Sequence, residues 1–137
     1  MAKENGLGLV VIVDDAAGTP RTISNDITNC SWATPRGVQD VTGVDKSAME
    51  RLLLHADLTV DYAGVINDAS NQSHDVFKTV PSTSVARTNT LQISGQELEA
   101  ELLFTDYAFT RATSGELTFS APGVLADGTV PTWGLAA

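Results

Sequence analysis

Glutamates at positions 97, 99 and 101 alternate with Leu98, Ala100 and Leu102. In a β-strand successive side chains point to opposite faces, so this spacing lines one face with carboxylates and the other with apolar groups. A row of like charges on a strand has three explanations: a solvated outer face, a cation or catalytic site, or a surface that must not hold another polyanion.

The same period of two recurs along the chain. Residues 7–13 are rich in Val, Leu and Ile and end at "DDAAGTP", a turn composition. Residues 21–34 place Ile23, Ile27 and Trp32 among Ser, Thr and Asn, one or two further strands. Leu58, Val60 and Tyr62 alternate with Asp57, Thr59 and Asp61, and Leu91 and Ile93 with Thr90 and Gln92. After the Ser94-Gly95 turn the apolar phase runs Leu98, Ala100, Leu102, Phe104 and resumes one place late at Tyr107 and Phe109. A β-bulge near Thr105 and Asp106 produces such a slip. Ser114-Gly115 is another turn, and Leu117, Phe119 and Ala121 mark the last long strand before an Asp-Gly turn and a short tail at Trp133.

Two stretches break the pattern. Residues 35–45 carry Val38, Val41 and Val44 three apart with no good helix formers, and read as an extended loop with apolar side chains. Asp45 can then cap a helix over residues 46–56, with Ala48, Met49, Leu52 and Leu53 as its stripe. A second short helix is expected around Val76 and Phe77, ended by Pro81. The expected fold is mainly β: an antiparallel β-sandwich or partly closed barrel with one or two short flanking α-helices.

Composition narrows the function. Asp and Glu number 17 against 8 Lys and Arg, a net charge of −9. That balance opposes gripping nucleic acid, which needs Lys and Arg to displace counterions, but permits working beside it. Cys30 is the single cysteine, so no intrachain disulfide can staple the fold. The N-terminal sequence has no secretory pattern and no apolar stretch approaches the roughly 20 residues that cross a bilayer, which predicts cytoplasmic synthesis.

Catalytic signatures are missing. There is no G-x-S-x-G elbow, no Gly-rich phosphate loop and no ligand-spaced partner for His55 or His74. Residues 67–75 have oxygen donors but lack the glycine and glutamate of a calcium loop. Glutamates two apart on a strand lie about 6.8 Å from each other, too far for one metal to span all three unaided.

Two stretches, "NDITNCSWATPRGVQDVTGVDKSAMERLLLHADLTVDYAGVINDASNQSHDVFKTV" and "LLFTDYAFTRATSGELTFSAPGVLADGTVPTW", carry a likeness over most of residues 25–133. Their order of strand, loop, short helix, strand, "SHDVF" turn and closing hairpin resembles the major tail tube proteins of long-tailed bacteriophages. The resemblance implies hexameric rings stacked around a DNA channel, with six inner sheets joined into one β-barrel. It implies that the early loop and both termini bridge rings, although this loop is shorter than in many relatives. A single tail-tube domain over residues 1–137 is expected, without the immunoglobulin-like domain some members add. No enzyme activity, cofactor or membrane insertion is expected. Tape-measure, terminator and distal tail proteins are the expected partners, and the virion tail the expected location. On this reading Glu97, Glu99 and Glu101, with Asp61 and Asp57, are candidates for the lumen wall. Arg36, Val38, Val41 and Val44 are candidates for contacts between subunits or rings. The competing readings are a tail terminator or head decoration protein, a carbohydrate-binding β-sandwich, and an enzyme using the carboxylate row.

Overall fold

Alternation, turn chemistry and one buried carboxylate account for most of the architecture. The computed structural model describes residues 7–136. Its strands are β1 (Val10–Asp14), β2 (Pro20–Thr22), β3 (Ile27–Ala33), β4 (Arg36–Asp40), β5 (Arg51–Ala56) and β6 (Thr59–Val65), then β7 (Arg87–Ile93), β8 (Gln96–Phe104), β9 (Ala108–Arg111), β10 (Leu117–Leu125) and β11 (Trp133–Leu135). One α-helix, α1 (Ser73–Phe77), joins β6 to β7. The fold is mainly antiparallel β, as the alternation predicts.

Nine strands form one sheet in the order β2-β1-β7-β8-β10-β6-β3, with β11 beside β8 and β9 beside β10. That sheet folds over itself into two layers. Val11 and Val13 of β1, Leu91 of β7 and Leu98 of β8 face Val60 and Tyr62 of β6 and Phe119 of β10 in a single core. The Tyr62 hydroxyl crosses this core and donates to Asn89 Oδ1 on β7 at 3.0 Å. The sheet turns the corner at β8, whose Leu102, Leu103 and Phe104 pair with Leu125, Val124 and Gly123. The β7–β8 connection is tight because Ser94 and Gly95 both take positive φ, 50° and 81°. That pair suits the two-residue hairpin turn whose twist matches the flanking strands.

The expected phase slip is present. Residues 105–107 stand opposite only Ala121 and Pro122, between the Phe104–Gly123 and Ala108–Ser120 pairs. The bulge separates β8 from β9 along one edge of β10 and turns Tyr107 and Phe109 back onto the Phe119 face, at 5.7 Å for Tyr107–Phe119 and 6.0 Å for Tyr107–Phe109.

Asp26, buried just before β3, fixes the helix. Its carboxylate accepts from the Ser73 backbone N–H and from Asn67 Nδ2, both at 3.0 Å. This holds an otherwise unpaired N–H at the start of α1 and presses Val76 and Phe77 into the core. At the other end the buried Arg87 guanidinium donates to the Val76 carbonyl and, at 2.9 Å, to Thr79 Oγ1. Phe77 meets Phe104 at 5.1 Å and Phe119 at 5.6 Å. Burying such a side chain contributes about 1.5–3 kcal/mol.

The helix expected over residues 46–56 is not formed, and the loop before it is not irregular. Instead β4 and β5 pair as a separate two-stranded antiparallel ribbon. Leu52, Leu53 and Leu54 follow one another, so they serve both faces of a ribbon, whereas a helix stripe over these residues would need a core to face and none lies against them. The tip is set by Asp40, which accepts from the Thr42 N–H at 2.9 Å and the Thr42 hydroxyl at 2.6 Å. Thr42 Oγ1 in turn accepts the Glu50 N–H at 2.8 Å. Asp45 caps no helix; it lies in a turn closed by Lys46 N–H to the Gly43 carbonyl at 3.1 Å.

Candidate assembly surfaces

The carboxylate row sits where alternation puts it. Leu98 and Leu102 enter the core while Glu97, Glu99 and Glu101 face away from it. Their cross-strand partners on β7 are Gln92, Thr90 and Thr88. Gln92 Nε2 donates to Glu97 at 2.9 Å and the Thr88 hydroxyl donates to Glu101. Asp14 on β1 lies beyond Thr88 in the same layer. Burial, with the nearby Glu101 and Asp15 carboxylates adding to it, raises the Asp14 pKa despite hydrogen bonds from Thr88. Beside the row, Glu99, Glu101, Asp127 and Thr129 surround a cleft of about 250 Å³.

Asp61 is not part of that surface. It points outward from β6, in the layer across the core, and accepts from the Ser120 hydroxyl at 3.3 Å. The outward faces of the two layers look in opposite directions, so Asp61 and the Glu97–Glu99–Glu101 row cannot line one lumen together. This corrects the expectation that joins them. Asp57 stands apart from both at the end of β5, where it accepts the Leu58 N–H at 2.8 Å.

The Asp61 layer has its own character. Around Asp61 its outward positions are Ser31 on β3, Ala63 on β6, Ser120 on β10 and Thr110 on β9, and no outward position of β3, β6, β9 or β10 carries Lys or Arg. Its two margins, β3 and β9, each have a strand partner on one side alone within the described residues. Unpaired margins are templates for another chain.

The β4–β5 arm gathers the residues assigned to subunit contacts. Arg36 closes its base: Nε and Nη2 donate to the Leu54 carbonyl at 3.0 and 2.8 Å, across the irregularity between Arg36 and Val38. Val38 faces Leu53 across the ribbon. Val38, Val41, Val44, Met49, Leu52, Leu53 and Leu54 are all exposed, Leu53 at 61%. An isolated two-stranded ribbon is marginal in water, and so much uncovered apolar surface marks an interaction site. The valines are legible in the sequence, whereas Leu52 and Leu53 read there as part of a helix stripe. At the arm's base Leu53, Leu54, Val130, Pro131 and Trp133 line a groove of about 730 Å³ that also touches His55 and Asp57.

Among the described residues no group of His, Cys, Asp and Glu could hold a metal, and no helix is long and apolar enough to cross a membrane. His74 Nδ1 lies 3.0 Å from the Tyr107 hydroxyl, against the aromatic cluster. Residues 1–6 and 137, where the resemblance would put ring-to-ring contacts, lie outside the described residues.

No family model matches the sequence, and no curated protein matches it. Solved structures do. The chain superposes on a chain of the tail of an empty gene transfer agent particle, refined with C6 symmetry, with a TM-score of 0.77 and 18% identity, over 98% of this chain and 100% of that one. A chain of the native gene transfer agent virion matches with a TM-score of 0.76 and 16% identity over the same shares. At that identity the likeness is one of fold, and from end to end the fold is that of a chain in a gene transfer agent tail.

Proposed function

We propose that this protein is the structural subunit of a phage-like tail tube, six copies to a ring and rings stacked into a hollow cylinder inside a virion. The end-to-end likeness to a chain of a C6-symmetric tail carries this reading. The chain's own features support it independently: one layer with two open margins and an arm uncovered on both faces.

The wall of the channel is assigned to the β3-β6-β10-β9 layer. Pairing β3 of one copy with β9 of the next removes both open margins and closes the layer into a barrel. Its outward face is free of Lys and Arg, with small side chains around Asp61 and the exposed Val65 and Val124 toward the strand ends, and Asp61 is repeated in every copy. Phosphates sliding along such a wall meet mild repulsion and no cation at which to stall. Glu97, Glu99 and Glu101 then face away from the channel. The arm, with Val38, Val41 and Val44, reaches a neighbouring copy, and tube ends meet the other tail proteins (tape measure, terminator and distal tail).

Purified protein at high concentration should form tubes of uniform width by negative-stain microscopy. The double variant Val38→Asp, Val41→Asp should stay folded by circular dichroism and form none. In a helical reconstruction, Asp61 and Ser120 on the lumen wall are the expected result, and Glu97 there would reverse the assignment. A chain that stays monomeric at every concentration, or stops at a single ring or trimer, would overturn the tube reading.

A further inference from the structure

Phe109 stands on the core side of β9, opposite Phe119, yet it is 61% exposed because β9 is the margin of its layer. Tyr107 backs it, ring to ring at 6.0 Å. At the opposite margin the two layers leave a slot of about 340 Å³ between β1 and β3, whose apolar lining is Leu9, Val11, Ile27 and Cys30. Two of its polar side chains are already engaged. Ser24 Oγ accepts the Val11 N–H at 2.7 Å, and the Thr28 hydroxyl donates to the Ala63 carbonyl at 3.3 Å. No Asp, Glu, Lys or Arg lines the slot. The exposed ring and the slot lie on one rung of the layer, for Phe109 pairs with Phe119, Phe119 with Gly64 and Gly64 with Ile27. Three antiparallel pairings separate β9 from β3, so the two strands run in opposite senses. A copy whose β9 continues the layer past β3 therefore brings its Phe109 beside Ile27, or beside Cys30 if it is staggered by one inward position.

We propose that the slot between β1 and β3 is the seat for the Phe109 ring of the adjacent copy. This rests on the ring-and-tube reading for its setting, and adds to it the side chain that fixes how neighbours meet. Backbone pairing of β9 with β3 alone would let one strand slide along the other, whereas a ring held in a slot sets the register. Copies that each carry a net charge of −9 repel one another, and a contact between an uncharged ring and an uncharged slot leaves no charge to be matched. An aromatic anchor desolvated in a fitted pocket carries a large share of an interface's energy. Knob and slot are different surfaces of one chain, so the contact is head-to-tail and closes into a ring where the rotation permits.

Complementation tests it. Phe109→Asp spoils the knob and leaves the slot, while Leu9→Asp spoils the slot and leaves the knob. Each alone should weaken self-association about 10-fold or more by sedimentation, with circular dichroism confirming the fold. Thr28→Trp, at an exposed position of the lining, is the second slot variant should Leu9→Asp not fold. An equimolar mixture of knob and slot variants keeps one intact contact per pair and should associate as heterodimers. In that mixture a disulfide reagent should modify Cys30 of the Phe109→Asp chain about 10-fold more slowly than in that chain alone, because its slot is filled. Cys30 of the slot variant should react at an unchanged rate, and mass spectrometry tells the two chains apart. A mixture that associates no better than either variant alone, or one that protects both thiols equally, overturns the seat. Tubes in the parent beside either failure keep the ring-and-tube reading. Pairing and one-sided protection without tubes in the parent keep the seat and remove the tubes. A parent that never associates overturns both.

Discussion

Tyr62 on β6 and Asn89 on β7 are joined by a 3.0 Å hydrogen bond through the middle of the core, from one layer of the sheet to the other. Both residues are fully buried, and Asn89 Nδ2 is occupied by the Arg87 carbonyl at 2.9 Å. The amide is therefore oriented to accept from the phenol. Removing the phenol oxygen strands the amide oxygen without a donor. Tyr62→Phe should lower unfolding stability by about 1–3 kcal/mol, the cost of an unsatisfied buried acceptor. Urea unfolding checks this, and an unchanged midpoint would show that the bond contributes nothing net.

Gly64 tolerates no side chain. A Cβ there would lie 1.9 Å from the Asp26 carbonyl oxygen, because β3 begins its pairing with β6 at Ile27–Gly64. The obstacle is the backbone of the buried Asp26 and of Ile27 at the entry to β3, so it cannot turn aside. Gly64→Ala should cost about 3 kcal/mol or more, or prevent folding. Thermal unfolding followed by circular dichroism measures it, and a near-parental Tm would contradict the close approach.

The Asp14 carboxyl is raised by burial and by its acidic neighbours, which gives stability a definite slope with pH. The folded state holds this proton more tightly than the unfolded chain, so stability falls as pH rises from the ordinary aspartate value through the raised one. Asp14→Asn should therefore raise the urea midpoint at pH 7. The gain should vanish below about pH 3, where both states carry the proton. A variant less stable than the parent at pH 7 would show that Thr88 needs the charge more than burial opposes it.

Burial pushes the Cys30 thiol up to about 11, with the Asp61 carboxylate adding to it. Thiolate is the reactive form. At pH 8 a disulfide reagent should modify the folded protein about 100-fold more slowly than the urea-unfolded chain, and the rate should climb about tenfold per pH unit up to pH 10. Equal rates in the two states would mean that the sulfur is open to water.

The outer residues of each strand were legible because a period of two is a local property, and β6 and β8 each show it without help from neighbours. The bulge at residues 105–107 was legible for the same reason, as a break in phase. The arm was not. Leu52, Leu53 and Leu54 have no period, and a run of three apolar residues is equally a helix face or a ribbon exposed on both sides. What decides is the absence of a core beneath them, which is a tertiary fact. Grouping Asp61 with the glutamate row on one face failed on similar grounds. Alternation puts Asp61 and Glu99 outside their strands, but only the folding of the sheet at Leu102–Phe104 turns those two outsides away from each other.

That corner has a mechanical consequence. Residues 96–111 run from the layer bearing the acidic row, through the bulge, along β10 in the other layer. Parting the layers would thus mean shearing a continuous strand out of its ladder with β10, breaking several backbone hydrogen bonds at once instead of unzipping them singly. A pull on one face of the molecule is delivered to the opposite face through covalent chain. Within each subunit the two layers thus behave as a laminate stitched through its thickness, with no glue line along which to peel.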